Sequence, residues 1–231
     1  MADATVISLG GSLIAPEAVD TAFLASFNRL VLGHLDADRR RKLIVICGGG
    51  GLARRYQAAC RELAPSAPND DLDWIGIAAT RLNAELVRRM FADRCKGGVV
   101  TDPTAVRRFA GRVMVAAGWK PGFSTDNDAV ILARRFGAET LVNLSNIAKV
   151  YTADPRKDAS ARPLDAVTWR EFRKIVGDEW SPGRNTPFDP AATKAAAAAH
   201  LRVIFADGRD LANLSAILEG RPFVGTTIGP G

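Results

Sequence analysis

Two histidines, His34 and His200, are all that this chain holds, and both fall at the ends of helical segments, so a Ser-His-Asp catalytic constellation is not expected. Three cysteines, Cys47, Cys60 and Cys95, are odd in number and show neither CxxC nor any other metal spacing. No disulfide framework or zinc site follows from them, and a reducing cytoplasm is the expected setting. No stretch approaches the run of about 18 apolar residues that a membrane helix needs. The N-terminus enters a strand-like segment without a basic region and apolar run, so no secretion signal is expected. Long basic stripes with interleaved aromatics are missing as well. The excess of 31 basic over 25 acidic residues, a net +6, is scattered in short clusters such as Arg39-Arg40-Arg41-Lys42 and Arg107-Arg108. That pattern favours a small anionic substrate over a dedicated nucleic-acid partner.

What is present is an ordinary globular composition, 47% hydrophobic and 24% charged. The length suits one large domain or two small lobes. Five short β-branched and aliphatic runs read as buried strands: 5–9, 43–47, 113–117, 140–144 and 202–206. Between them lie segments of helical spacing at 17–35, 52–63, 75–91, 126–136, 165–176, 190–200 and 210–218. The alanine run 195–199 belongs to the interior of one of these. Strand and helix alternate, which predicts an α/β fold with a mainly parallel sheet and helices on both faces. Turn formers concentrate at 65–71 and 181–190. A weak division near residue 140 separates an acceptor half, 1–139, from a nucleotide half, 140–231.

Three of the strands end in glycine-rich turns: Gly10-Gly11-Ser12, Gly48-Gly49-Gly50-Gly51, and Gly118 to Thr125. Ligands of open α/β sheets sit beyond the carboxyl ends of the strands. Glycine there lets backbone N–H groups approach an anion, and a following helix N-terminus adds partial positive charge. Three such turns along one edge point to several phosphates in a row. The Walker pattern GxxxxGK[ST] is missing, which disfavours a P-loop NTPase. Gly48, Gly50 and Ala53 do fit GxGxxA, but the second strand with its acidic end about 20 residues on is lacking, which disfavours a dinucleotide fold.

Further motifs follow in a fixed order. Gly-Gly-Ser after the first strand precedes Gly-Gly-Gly with Leu52-Ala53-Arg54-Arg55-Tyr56. Then come Asp73-Trp74-Ile75-Gly76 leading to Ala79-Thr80-Arg81-Leu82-Asn83, Pro121 to Asp126, Tyr151-Thr152-Ala153-Asp154-Pro155, and Gly225-Thr226-Thr227-Ile228. The chain resembles, over essentially its whole length, the archaeal-type uridylate kinases of the amino acid kinase superfamily. The resemblance implies a three-layer sandwich and a single domain over 1–231. It also implies transfer of a phosphoryl group from ATP to UMP with magnesium (Mg2+), and assembly into hexamers built from dimers.

By the same resemblance Gly10, Gly11, Ser12, Gly50 and Arg54 hold the ATP phosphates. Ser145, Asn146, Tyr151 and Asp154 contact its adenosine end, and their chemistry is suitable, since asparagine reads base edges, tyrosine stacks and a carboxylate accepts from ribose hydroxyls. Gly49, Asp73 and the segment Trp119, Lys120, Pro121, Gly122, Phe123, Ser124 and Thr125 are assigned to UMP. Asp126 and Asp189 organise cationic side chains or magnesium around the transferring phosphoryl, and Lys120 or Lys194 supplies the remaining positive charge. Each has a structural reading beside the functional one. Asp73, Asp126 and Asp189 also stand where helix N-caps are expected. Asn146 suits a turn, Tyr151 a core and Lys194 a solvated helix face.

Two departures accompany the resemblance. Ser8 stands where many superfamily kinases have lysine, a replacement shared with the archaeal uridylate kinases, and Ile147-Ala148-Lys149-Val150 replaces the usual Val-Asp-Gly-Val. The competing readings are another acceptor on the same fold and a non-catalytic oxyanion store like the molybdenum storage proteins.

Overall fold

The computed structural model describes residues 4–155, 157–177 and 187–229. Seven strands form one sheet: β1 (Ala4–Leu9), β2 (Lys42–Cys47), β3 (Val113–Ala116), β4 (Thr140–Ser145), β5 (Ala166–Thr168), β6 (Arg202–Asp207) and β7 (Thr226–Gly229). Their order is β3-β2-β1-β4-β6-β7-β5. All neighbours are parallel except β6 and β7. The five strands legible in the sequence lie side by side as β3-β2-β1-β4-β6, and their carboxyl ends share one edge. β1 pairs with β2 on one side and β4 on the other, so the sheet runs unbroken across residue 140 and its order reverses beside β1.

Period-two alternation divides the side chains between two cores. Ile7, Leu9, Val45 and Leu144 face α2 (Thr21–Ala37), α4 (Asn69–Met90) and α8 (Leu211–Leu218), meeting Phe27, Leu35, Phe91 and Leu214. Val6, Ile44, Ile46 and Leu141 face α5 (Thr125–Phe136), α6 (Trp169–Val176) and α7 (Pro190–Ala198), meeting Val130, Ala133, Phe172 and Ala196. The three-layer α/β sandwich follows from these two burials.

Several boundaries differ from the sequence reading. α2 starts at Thr21, four residues late, because the Asp20 carboxylate accepts from Phe23 N and caps it. α4 starts at Asn69, so residues 69–71 are helical instead of loop. Pro68 holds its N-cap position, and Asp70 and Asp71 in its first turn complement the helix dipole. The segment 165–176 divides into β5 and α6 where Thr168 and Glu171 form a capping box. β5 and β7 are three and four residues long and gave no apolar run to read. Of the turn-rich stretch 181–190, residues 181–186 lie outside the described residues.

Candidate active site at the carboxyl edge of the sheet

The first two glycine turns are packed backbone to backbone. After β1 the chain turns at Gly10, whose N–H donates to Leu144 O at 2.9 Å, and enters the four-residue helix α1 (Gly11–Ile14) with Ser12 half-buried. After β2, Gly48 N donates to Leu9 O at 3.0 Å, and α3 (Gly50–Leu63) begins with Gly50 at φ +67°. A Cβ on Gly11 would lie 2.0 Å from Gly50 N, so only glycine permits this approach. The turns therefore present main-chain groups, not side chains, at the edge.

Beside them opens a cleft of about 300 Å³. Gly49, Gly50, Arg54, Asp73, Phe123 and Thr125, all singled out in the sequence, line it. Thr80 and Gly118, which lie in the motifs read from the sequence but were given no ligand role of their own, complete the wall between α4 and the third glycine turn. Asp73 is not a helix cap. It is the fifth residue of α4, and its Oδ2 accepts from Gly122 N at 3.0 Å, fastening the third turn to the helix. Thr80 does the same at Gly118, its Oγ1 accepting from Gly118 N at 2.9 Å, and Arg81 donates to Trp119 O at 3.0 Å. Asn83 reaches the second turn, donating to Gly48 O at 2.8 Å. Within the third turn the Trp119 and Phe123 rings meet edge to face at 4.8 Å. The Lys120 ammonium lies 4.1 Å from the Trp119 centroid and 5.0 Å from that of Phe123. Pro121 stands between them, half-buried.

Where this turn becomes α5, carboxylates gather. Ser124, not Asp126, is the cap of α5, accepting from Asn127 N at 3.1 Å. Its hydroxyl also donates to Asp189. Asp189 does cap α7, accepting from Ala192 N at 2.9 Å, so its expected capping role is met while its second oxygen faces Ser124. Asp126, in the first turn of α5, accepts on Oδ1 from Ser8 Oγ at 3.2 Å and from Asn143 Nδ2 at 3.0 Å. Burial, then the nearby Asp189 charge, pushes Asp126 up to about 7, against the two hydrogen bonds that favour its charged form. Asp128 is wholly buried and likewise pushed up to about 7, first by burial and then by Asp189 and Asp102, while its bond from Trp119 N opposes the shift. Sequence reasoning missed Asp128 and Asn143. A polar residue inside an apolar strand or the buried face of a helix was the available signal.

The residues expected at the adenosine end lie farther along the edge. Ser145 closes β4, opposite Asp207 of β6, and its carbonyl accepts from Gly208 N at 2.8 Å. Asn146 is exposed in the turn that follows. Tyr151 pairs with Pro163, and Asp154 closes a turn through its carbonyl, which accepts from Lys157 and Asp158 at 2.9 Å each. Lys194 sits on the exposed face of α7. Among the described residues no His, Cys, Asp and Glu group of three or more is arranged to hold a metal ion. No helix of theirs is long and apolar enough to cross a membrane.

Glycine turns edging a parallel sheet at its reversal point, a polar cleft beside them and a buried carboxylate at their junction define an α/β protein built to hold phosphorylated ligands. The chain belongs to the amino acid kinase family, which it matches over residues 3–207. It is 37% identical to a uridylate kinase of Methanospirillum hungatei, over 96% of this chain and 93% of that one. A uridylate kinase of Thermoplasma volcanium is 35% identical over 99% and 98%. The crystal structure of the uridylate kinase from Archaeoglobus fulgidus superposes with a TM-score of 0.82 at 32% identity, covering 97% of this chain and 99% of that one.

Proposed function

We propose that this chain transfers the γ-phosphoryl group of ATP to UMP, yielding ADP and UDP for pyrimidine nucleotide synthesis in the cytoplasm. The observation that carries the reading is the cleft with Asp73, Arg54 and Thr125 in its wall, opening directly beside the Gly49–Gly50 turn. UMP lies in the cleft, held by the half before residue 140. ATP lies along the edge toward β4, with its adenosine end at Ser145, Asn146, Tyr151 and Asp154.

The residues fit these ligands. On Gly10 a Cβ would stand 2.7 Å from Leu144 O, so the first turn packs tightly on β4 and puts no side chain at the edge. Phosphate oxygens at that edge would meet the N-terminus of α3, whose dipole favours negative charge. Asp126 and Asp189 are hard oxygen donors whose mutual repulsion a divalent cation would relieve. Magnesium is commonly held by one or two carboxylates with substrate phosphates completing its shell. When bound it neutralises charge on the phosphates.

An oxygen of the UMP phosphate attacks the γ-phosphorus in line. The new P–O bond forms as the bond to the β,γ-bridging oxygen breaks, and ADP leaves with that electron pair. No nucleophilic side chain is required. Arg54 offers a fork of donors to phosphate oxygens between the two ligands, and Asp73 and Thr80 keep the third turn fixed around the acceptor. Lys120 is the cation we assign to the developing charge, with Lys194 as the alternative. A stripe on the exposed side of α4, Trp74, Ala78, Leu82 and Leu86, recurs every four residues, and it supports assembly with further copies of this chain. A hexamer is the state we propose.

An ADP-release assay with UMP, CMP, AMP and GMP tests the reading. UMP is expected to be turned over fastest, and equal or greater turnover of AMP overturns it.

A further inference from the structure

Asp128 is a residue whose burial stability alone does not explain. It has no exposed surface, it lies in the stretch of α5 that also buries Asn127, Ala129, Val130, Leu132 and Ala133, and its Oδ1 is buried without a hydrogen-bond partner. An unpaired buried oxygen is destabilising, and an apolar side chain of similar size would avoid that penalty. The other oxygen makes one contact: Oδ2 accepts from Trp119 N at 3.0 Å.

That contact completes a pattern. The third glycine turn is tied to α4 at Gly118 N by Thr80, at Trp119 O by Arg81 and at Gly122 N by Asp73. All three ties come from one side. Asp128 grips the same turn from α5, the helix whose first residue, Thr125, lines the cleft. Trp119 thus has its N–H held by α5 and its carbonyl held by α4, one residue before Lys120 and four before the cleft-lining Phe123. With the peptide planes on both sides of its Cα held, Trp119 cannot turn freely. Its neighbours therefore keep their positions before the ligand arrives, which lowers the ordering cost of binding.

We propose that Asp128 is a positioning residue for the acceptor: through Trp119 N it sets the 118–125 turn in its UMP-binding shape, and it acts on UMP and not on ATP. This rests on the reading of the cleft as the UMP site.

The experiment is steady-state kinetics of the full chain with UMP and ATP varied in turn, for the wild type, Asp128→Leu and Asp128→Asn. Leucine fills the volume and cannot accept, whereas the asparagine carbonyl oxygen can still accept from Trp119 N. For Asp128→Leu the KM for UMP is expected to rise roughly tenfold, in line with loss of one hydrogen bond to a buried partner, with the KM for ATP changing less than twofold. Asp128→Asn is expected to restore the UMP value. An unchanged UMP KM in Asp128→Leu, an equal rise in both constants, or an asparagine variant as impaired as leucine each overturns the proposal. Should Asp128→Leu not fold, amide exchange in the wild type reads the contact directly: Trp119 N–H is expected to exchange at least tenfold more slowly than Lys120 N–H, and equal rates overturn it. A wild type that does not phosphorylate UMP at all refutes the functional reading instead, and is thereby distinguished.

Discussion

Ser8 and Asn143 are direct partners across the parallel β1–β4 pair, and both donate to the same oxygen of Asp126. Alternation puts them on the α5 face, where Val6, Leu141 and the rest of the sheet are apolar. Each is the one polar residue among the buried positions of its strand, and each is nearly fully buried. Their shared acceptor explains both. Asp126 is thus held by two neutral donors.

Asn143→Leu removes one of these donors while preserving bulk. Hydrogen bonds to the charged form lower a carboxyl pKa, so their loss shifts Asp126 above its position near 7. The acidic limb of the kcat profile is expected to move to higher pH, and a rise of about one pKa unit lowers kcat at neutrality roughly fivefold, as the ionised fraction falls from about one half to about one eleventh. A kcat–pH series for wild type and variant checks this. A profile that falls uniformly without moving would place Asn143 outside the chemistry.

The same two carboxyls make stability depend on pH. Asp126 and Asp128 titrate above their ordinary 3.8, so the folded state binds protons more tightly than the unfolded chain. Stability from their protonated forms is fully present below about pH 4 and is lost as pH rises through about 7. The melting temperature of the ligand-free protein is expected to fall between pH 5 and pH 8 by several degrees (an order-of-magnitude shift). Asp126→Asn should flatten the dependence. A melting temperature that rises across this window in the wild type would contradict both assignments.

Lys120 and Lys194 are separated by kinetics. Lys120 rests on Trp119 and on the cleft-lining Phe123, whereas Lys194 lies on the exposed face of α7. Lys120→Met is expected to depress kcat on the order of 10²-fold, as other losses of transition-state charge stabilisation do, with both Michaelis constants nearly unchanged. Lys194→Met is expected to retain full turnover. The reverse outcome would move the charge to the helix that follows Asp189.

Much of this molecule is legible in the order of its residues, because the relevant signals are local. A buried parallel strand must be apolar along its length, and a glycine must follow where two backbones touch. β1, β2, β3, β4 and β6 and the three turns were readable for that reason, as were Arg54 and Thr125 beside them. Two short strands, β5 and β7, were not, since three or four half-exposed residues acquire strand geometry only from their neighbours in the sheet. The motif order likewise carried the family.

Only the tertiary structure decided what those residues touch. A cap and a loop-fastening carboxylate look alike in sequence, and Asp73 proved to be the second because α4 begins at Asn69, which leaves Asp73 one turn inside the helix and beneath Gly122. Ser124 took the cap that Asp126 could equally have filled from its place in the sequence, and Asp126 meets Ser8 and Asn143, residues separated from it by 118 and 17 positions. Asp128 and Trp119 are nine apart in the chain, yet no periodicity announces their bond. A sequence specifies burial and turn conformation through each residue's own chemistry. Which polar groups converge depends on strand register and helix phase, and these are set jointly by the packing of the two cores.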